Sequence, residues 1–157
     1  VLGISSRKIN EKAALYPIEM IKRYSNRMQV PLSNLNILII GVAFKGIPET
    51  ADIRGSVAID VLNKLNGCVN NVFGWDAVID SKNLKEIGFN ILDDLDSIVD
   101  CVDVILILNN HPNNACSSIY IPPKNNRLVF DGWNQIDRSE IEKTVGMTYA
   151  TMGYVTP

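Results

Sequence analysis

The sequence predicts an α/β fold: a Rossmann-like parallel sheet with helices on both faces, preceded by an N-terminal helical segment. Three observations predict it. Short, continuous apolar runs recur at 36–42, 71–76, 103–108 and 127–131, and runs of this kind mark strands buried on both faces. Helix-patterned stretches separate them. Strand–helix–strand units of this sort cross over right-handedly, which yields a parallel sheet covered on both sides.

The elements follow in order. Over 7–29, Ile9, Ala13, Tyr16, Ile18, Ile21 and Met28 recur at helix-like spacing. Pro17 breaks this pattern and predicts a kink or a fresh helix start with Pro17 in its first turn. Residues 29–33 read as a linker. The apolar positions before it have no obvious cover in this chain, so the segment is expected to pack on another chain or stay exposed. The reading is therefore a boundary near Pro31: 1–31 as the tail of a central helical or dimerisation region plus linker, and 32–157 as a Rossmann-like domain. Strand 36–42 comes next. A helix over 56–65 is capped by Ser56, carries Val57, Ala58, Val61, Leu62 and Leu65 on one face, and ends at Gly67. Strand 71–76, a short helix over 79–87 and a helix over 92–101 lead into strand 103–108. A loop with Asn109, Asn110, His111 and Pro112 follows, with one helical turn around 114–118. Strand 127–131, a helix over 136–145 capped by Asp137, and a last strand over 147–154 complete the pattern.

Apolar residues make up 46% and charged residues 20% of the 157, an ordinary globular composition. A net charge of −2 supplies no basic field for nucleic acid or an anionic membrane, so any phosphate needs a local site. No apolar run approaches the ~20 residues of a membrane span, and the N-terminus lacks a signal-peptide core. A chain starting at Val1 reads as a piece of a longer one. Cys68, Cys101 and Cys116 form no C-x-x-C pair and no disulfide framework, which suits a reducing cytoplasm. With His111 the single histidine, no metal site is expected.

Open sheets of this type bind ligands at the carboxyl ends of their strands. The loops after Gly41, Asp76, Leu108 and Asp131 are therefore the places to look. Gly41-Val42-Ala43-Phe44-Lys45-Gly46 has the first glycine of a dinucleotide fingerprint, but Ala43 stands where the second must be. The following helix also starts too late, so the chain is not expected to bind NAD itself. The loop does hold Lys45, Glu49, Asp52 and Arg54 ahead of Ser56. Lys45 is suited to act as a point charge for a phosphate, with N–H groups of Gly55 and Ser56 at the helix start. A plainer reading is that Asp52 and Arg54 pair to stitch the loop and that Lys45 is merely solvated.

Within 41–56, Phe44-Lys45, Asp52-x-Arg54 and Ser56 closely resemble a signature of the UDP-glucose/GDP-mannose dehydrogenase family. Residues 72–76 are similar to the family's strand ending in Asp. Residues 102–111 resemble its next strand and loop, with Asn109 where Thr is usual. Residues 128–132 resemble its V-x-D-G strand, and 149–154 its terminal strand. The resemblance spans about residues 8–155. It implies an enzyme in three parts: an NAD-binding N-terminal domain, a central helical region with a catalytic cysteine, and a C-terminal domain that binds the UDP of the substrate. Such enzymes oxidise C6 of a nucleotide sugar to a carboxylate with two NAD, through a thiohemiacetal and a thioester.

The resemblance thus implies that this chain is the C-terminal UDP-binding domain of an NAD-dependent nucleotide-sugar 6-dehydrogenase that turns a UDP-hexose into a UDP-hexuronate for polysaccharide biosynthesis. It implies a cytoplasmic protein, a homodimer or larger at full length, with no nucleic-acid or membrane partner. NAD belongs to the N-terminal domain. The family's cysteine motif and the NAD fingerprint are absent here, so the chain alone is expected to be inactive, with Cys68, Cys101 and Cys116 incidental. The alternative is a stand-alone Rossmann-like nucleotide-binding or regulatory domain without catalysis. Phe44 and Lys45 match the family's nucleotide-sugar contacts, and Asp52, Arg54 and Ser56 match its motif as loop organisers. After Asp131-Gly132 the family has an arginine that reaches the substrate, whereas this sequence has Trp133-Asn134. Trp133 then stacks on the ligand, or Arg127 or Arg138 supplies the cation, or binding is weak.

Overall fold

The structure is a computed structural model, and it describes the backbone of residues 2–97 and 101–157 and the side chains of 12–97 and 101–157. Helix α1 (Leu2–Met28) runs unbroken through Pro17, so of the kink or fresh start expected there, the fresh start is absent. The helix accepts the lost hydrogen bond because Ala14, Ile18, Ile21 and Tyr24 form one buried stripe against α2 (Val57–Leu65) and strand β4 (Arg127–Asp131). Burying a side chain the size of Ile contributes about 1.5–3 kcal/mol, so Ile18, Ile21 and Tyr24 together exceed the roughly 3 kcal/mol cost of an interior proline. The expectation that nothing in the chain covers this face therefore fails from Ala14 to Tyr24. The covering surface comes from α2 and β4, which are distant in sequence. Tyr16 adds a hydroxyl that donates to Thr151 O and accepts from Gly153 N, and its ring packs on Phe130 at 5.9 Å. Ile9 lies among the residues whose side chains are not described.

The sheet has six strands in the order β2-β1-β3-β4-β5-β6. β1 (Asn36–Ile40), β2 (Asn71–Trp75), β3 (Val104–Ile107), β4 and β5 (Met147–Thr151) are parallel, and β6 (Tyr154–Val155) returns antiparallel beside β5. Successive residues of the central strands feed two cores. Ile37, Ile39, Val104, Leu106, Leu128 and Phe130 face α1 and α2. Leu38, Ile40, Ile105, Ile107 and Val129 face Ile119, Ile136 and Ile141. Burial on both faces is why these strands are continuously apolar rather than alternating.

Two further helices among the described residues are α3 (Ser81–Ile87), capped by Asp80, and α4 (Arg138–Lys143), capped by Asp137. Both are shorter than expected, because the apolar residues before each cap, Ile79 and Ile136, are core contacts of the incoming loop. The helix expected over 92–101 falls partly on residues outside the described ones. Its described residues 92–97 form loop and turn, where the Asp94 carboxylate accepts from Ser97 N at 2.8 Å. The turn expected around 114–118 is two short 3-10 turns, Pro112–Asn114 and Ser117–Tyr120. The last strand is broken by a turn at Met152-Gly153, where Gly153 has φ +82. A positive φ suits glycine and reverses the chain into β6.

Candidate functional site

Strand order reverses between β1 and β3, the point where an open α/β sheet leaves a crevice beyond its strand ends. A cleft of about 390 Å³ lies there. The loop after β1 contributes Phe44, Lys45 and Gly55, and the first turn of α2 adds Val57. Leu108 follows β3, while Gly132 and Trp133 follow β4. Met152 of the β5–β6 turn and Ala13 and Pro17 of α1 close the sides. Phe44 and Trp133 are each 51% exposed and Met152 is 59% exposed. Large apolar side chains left in water around one concavity mark a binding surface. Lys45 is the one cation among the described residues that line it. Of the residues singled out in the sequence, the fold brings Phe44, Lys45 and Trp133 together. Asn134 sits at the exposed edge with φ +53, its Oδ1 accepting from Thr151 Oγ1 at 3.2 Å.

The loop after β1 is organised by carboxylates and carboxamides from neighbouring strands. Asp76, just past β2, accepts from Val42 N at 2.7 Å and Ala43 N at 2.9 Å through one oxygen, and from Val78 N and Ile79 N through the other. This answers whether the site suits a dinucleotide. In a pyrophosphate-binding turn the backbone N–H groups after the first strand must face the ligand. Here a carboxylate already occupies two of them and adds negative charge, and Ala43 carries a side chain. The loop does not fit NAD.

Farther along, Asp52 accepts from Arg54 N and from both Nε and Nη2 of Arg54, the last at 2.7 Å. These hydrogen bonds hold the Asp52 carboxyl at about 2. Ser56 donates its hydroxyl to Val42 O at 2.6 Å and caps α2 by accepting from Ala58 N. Its own N–H bonds to Ile53 O, so Ser56 N is not available to a phosphate.

The β3 loop clamps this segment from the other side. Asn109 Nδ2 donates to Ala43 O, and Asn110 Oδ1 accepts from Gly46 N at 2.8 Å and Ile47 N at 3.1 Å. His111 is 5% exposed. Its Nδ1 accepts from Asn113 N, which places the ring proton on Nε2, 2.7 Å from Glu49 Oε1. A Cβ on Gly46 would collide with the His111 backbone, so the two loops meet in van der Waals contact.

Asp131 plays the matching part after β4. It accepts from Trp133 N, Gln135 N and Ile136 N and from the Tyr149 hydroxyl. Burial, then the Asp131 charge and hydrogen bond, push the Tyr149 phenol up to about 12. Neither candidate replacement cation reaches the cleft. Arg127 is fully buried at the amino end of β4, donating to Val102 O and Ile121 O. Arg138 lies over the Tyr154 ring at 3.5 Å and bonds Glu142. The sequence alone did not single out the roles of Asp76, Asn110, His111 and Asp131. Their common signal is a polar residue within a few positions of the end of an apolar strand, which shows where it sits but not which loop it bonds.

Cys68 is exposed, Cys101 and Cys116 are half-buried, and none lines the cleft. Burial raises the Cys116 thiol, the opposite of an activated nucleophile. No helix among the described residues is long and apolar enough to cross a membrane.

A five-stranded parallel sheet with an antiparallel edge, a cleft at its switch point and a β1 loop closed to dinucleotides define a Rossmann-like ligand-binding domain. Comparison with known proteins gives the family. The profile described as "UDP-glucose/GDP-mannose dehydrogenase family, UDP binding domain" matches residues 38–138. The chain belongs to this family and carries its UDP-binding domain. No curated protein matches it. Similar solved structures include a UDP-D-ManNAc dehydrogenase from Pyrococcus horikoshii, at 23% identity and TM-score 0.72, covering 94% of this chain and 32% of that one. An NDP-N-acetyl-D-galactosaminuronic acid dehydrogenase from Methanosarcina mazei Go1 matches at 19% identity and TM-score 0.70, over 98% and 32% of the two chains. A UDP-glucose dehydrogenase from Pyrobaculum islandicum matches at 18% identity and TM-score 0.56, over 91% and 29%. At these identities the likeness is one of fold, and the chain spans about a third of each structure's length.

Proposed function

We propose that the cleft binds the UDP moiety of a nucleotide sugar, and that the chain is the substrate-binding part of an NAD-dependent 6-dehydrogenase that oxidises a UDP-hexose to a UDP-hexuronate. The observation that carries this reading is Lys45. It is a cation among apolar lining residues at the switch point, and no described residue pairs with its ammonium group. In this reading Lys45 neutralises diphosphate charge, and Phe44 and Trp133 offer ring faces to the base or the sugar. Asn134, its oxygen held by Thr151, would offer its amide N–H₂ group at the rim. The three structures named above are sugar-nucleotide dehydrogenases by name, which supports this class of substrate.

Oxidation at C6 needs a nucleophilic thiolate and a hydride acceptor. No cysteine lines the cleft, and the β1 loop does not suit NAD. The proposal therefore assigns the thiol and NAD to parts of the enzyme outside these 157 residues, with α1 as the tail of the helical region that joins them. Three cysteines outside any disulfide fit a reducing, cytoplasmic setting, and a homodimer or larger assembly is proposed at full length.

The test is calorimetric titration of UDP into wild type and Lys45→Ala. Loss of a charge-assisted contact of about 1.5–3 kcal/mol weakens binding roughly ten- to a hundredfold. Lys45 is exposed, so the thermal midpoint should barely move. Equal affinities, or no binding by wild type, would refute the reading. Lost affinity with a large fall in midpoint would make Lys45 structural instead.

A further inference from the structure

Lys45 sits on an irregular loop, yet its neighbours are anchored. Phe44 N donates to Asp52 O at 2.8 Å on one side. On the other, Gly46 N and Ile47 N both converge on the side-chain oxygen of Asn110, a residue 64 and 63 positions away in sequence. Asn110 lies between two further anchors. Asn109 holds Ala43 O, and the backbone oxygen of His111 accepts from Gln135 Nε2 of the loop that carries Trp133. One short segment after β3 thus bonds both the loop that carries Lys45 and the loop that carries Trp133.

We infer that Asn110 is a positioning residue: its carboxamide oxygen, by collecting the Gly46 and Ile47 N–H groups, fixes the backbone from which Lys45 reaches a bound diphosphate. This rests on the cleft being the UDP site. The chemistry favours a positioning role over a contact. Asn110 does not line the cleft, and its oxygen is committed to two backbone donors. Those donors lie in a loop segment without regular secondary structure, so nothing repetitive in the backbone would hold Lys45 in register without Asn110. Fixing a cation before the ligand arrives removes an ordering cost from binding.

The test is a double-mutant cycle on UDP affinity with Asn110→Leu and Lys45→Ala, since coupling between two sites appears as non-additivity. Asn110→Leu keeps the size and removes the acceptor. It is expected to weaken UDP binding roughly tenfold in wild type, the scale of two lost backbone hydrogen bonds. In the Lys45→Ala background it should have almost no further effect. An equal loss in both backgrounds would mean that Asn110 is merely structural and would overturn the inference. So would unchanged affinity of Asn110→Leu while Lys45→Ala binds weakly, an outcome that leaves the UDP site itself standing. If Lys45→Ala binds like wild type, or wild type does not bind UDP, both readings fall together. Should Asn110→Leu not fold, Asn110→Ala removes the same oxygen without adding methyl groups and is measured in the same two backgrounds against the same criteria.

Discussion

Replacing Asp76 with alanine should be among the most damaging single changes in the molecule, although Asp76 has no assigned contact with substrate. Its two oxygens accept four backbone N–H bonds, to Val42, Ala43, Val78 and Ile79. The bonds to Val42, Ala43 and Ile79 are buried, and only the Val78 bond is partly open to water. A buried donor left without a partner costs about 1–3 kcal/mol, so three of them predict a loss of roughly 3–5 kcal/mol once some water enters the loop. That is a fifth or more of the roughly 5–15 kcal/mol that holds a domain together. At about 2–4 °C per kcal/mol for a chain of this size, the melting midpoint should fall on the order of 10 °C. Asp76→Asn keeps one acceptor oxygen but turns an N–H₂ group toward the other pair of donors, so it should fall between wild type and alanine. Urea unfolding followed by circular dichroism measures this, provided the slope is the same in all three proteins. A loss under about 1 kcal/mol for Asp76→Ala would show that water substitutes freely for the carboxylate. The explanation given for the closed dinucleotide loop would then be wrong.

Other outcomes follow from the same geometry. Gly46→Ala places a methyl group into the His111 backbone. It should cost at least about 2 kcal/mol in a urea melt and weaken UDP binding with it; a silent substitution would mean that the two loops are not in contact. Trp133, half-exposed at the cleft, should report UDP as a change in tryptophan emission. Trp133→Phe should remove that change while Trp75 still emits, whereas a persisting signal would place the ligand elsewhere. The Tyr149 phenol is raised from 10.0 to about 12 by burial and by Asp131. The folded state therefore holds this proton more tightly than the unfolded state, and its contribution is complete below about pH 10 and lost as pH climbs toward 12. Urea midpoints measured between pH 9 and 11.5 should fall across that window, and less steeply in Tyr149→Phe.

Much of the candidate site could be read from the residues because its parts are local. Phe44 and Lys45 follow a buried strand directly, and the Asp52–Arg54 pair is closed within three residues. The loop's remaining anchors could not be read in this way. Asp76, Asn109, Asn110 and His111 lie far along the chain from the backbone groups or side chains they bond, and a lone Asn or Asp after a strand carries no mark of its partner. For the same reason the sequence left Arg127 and Arg138 open as replacement cations. Strand register sends one to the far end of β4, and the other is taken by Tyr154 and Glu142.

The sequence by itself determined the parallel sheet, the order of its elements and the strand ends at which open α/β sheets bind their ligands. Continuous apolar runs, caps such as Ser56 and Asp137, and the missing second glycine at Ala43 all act over a few residues. Tertiary structure decided that α1 lies unbroken on α2 and β4, and that the last strand folds back as a hairpin. It also decided that Asp76 fills the amides a dinucleotide would need and that one carboxamide holds the loop of Lys45. Each of these outcomes depends on surfaces or hydrogen-bonding groups brought together across the fold, and only packing selects among the partners a single residue type allows.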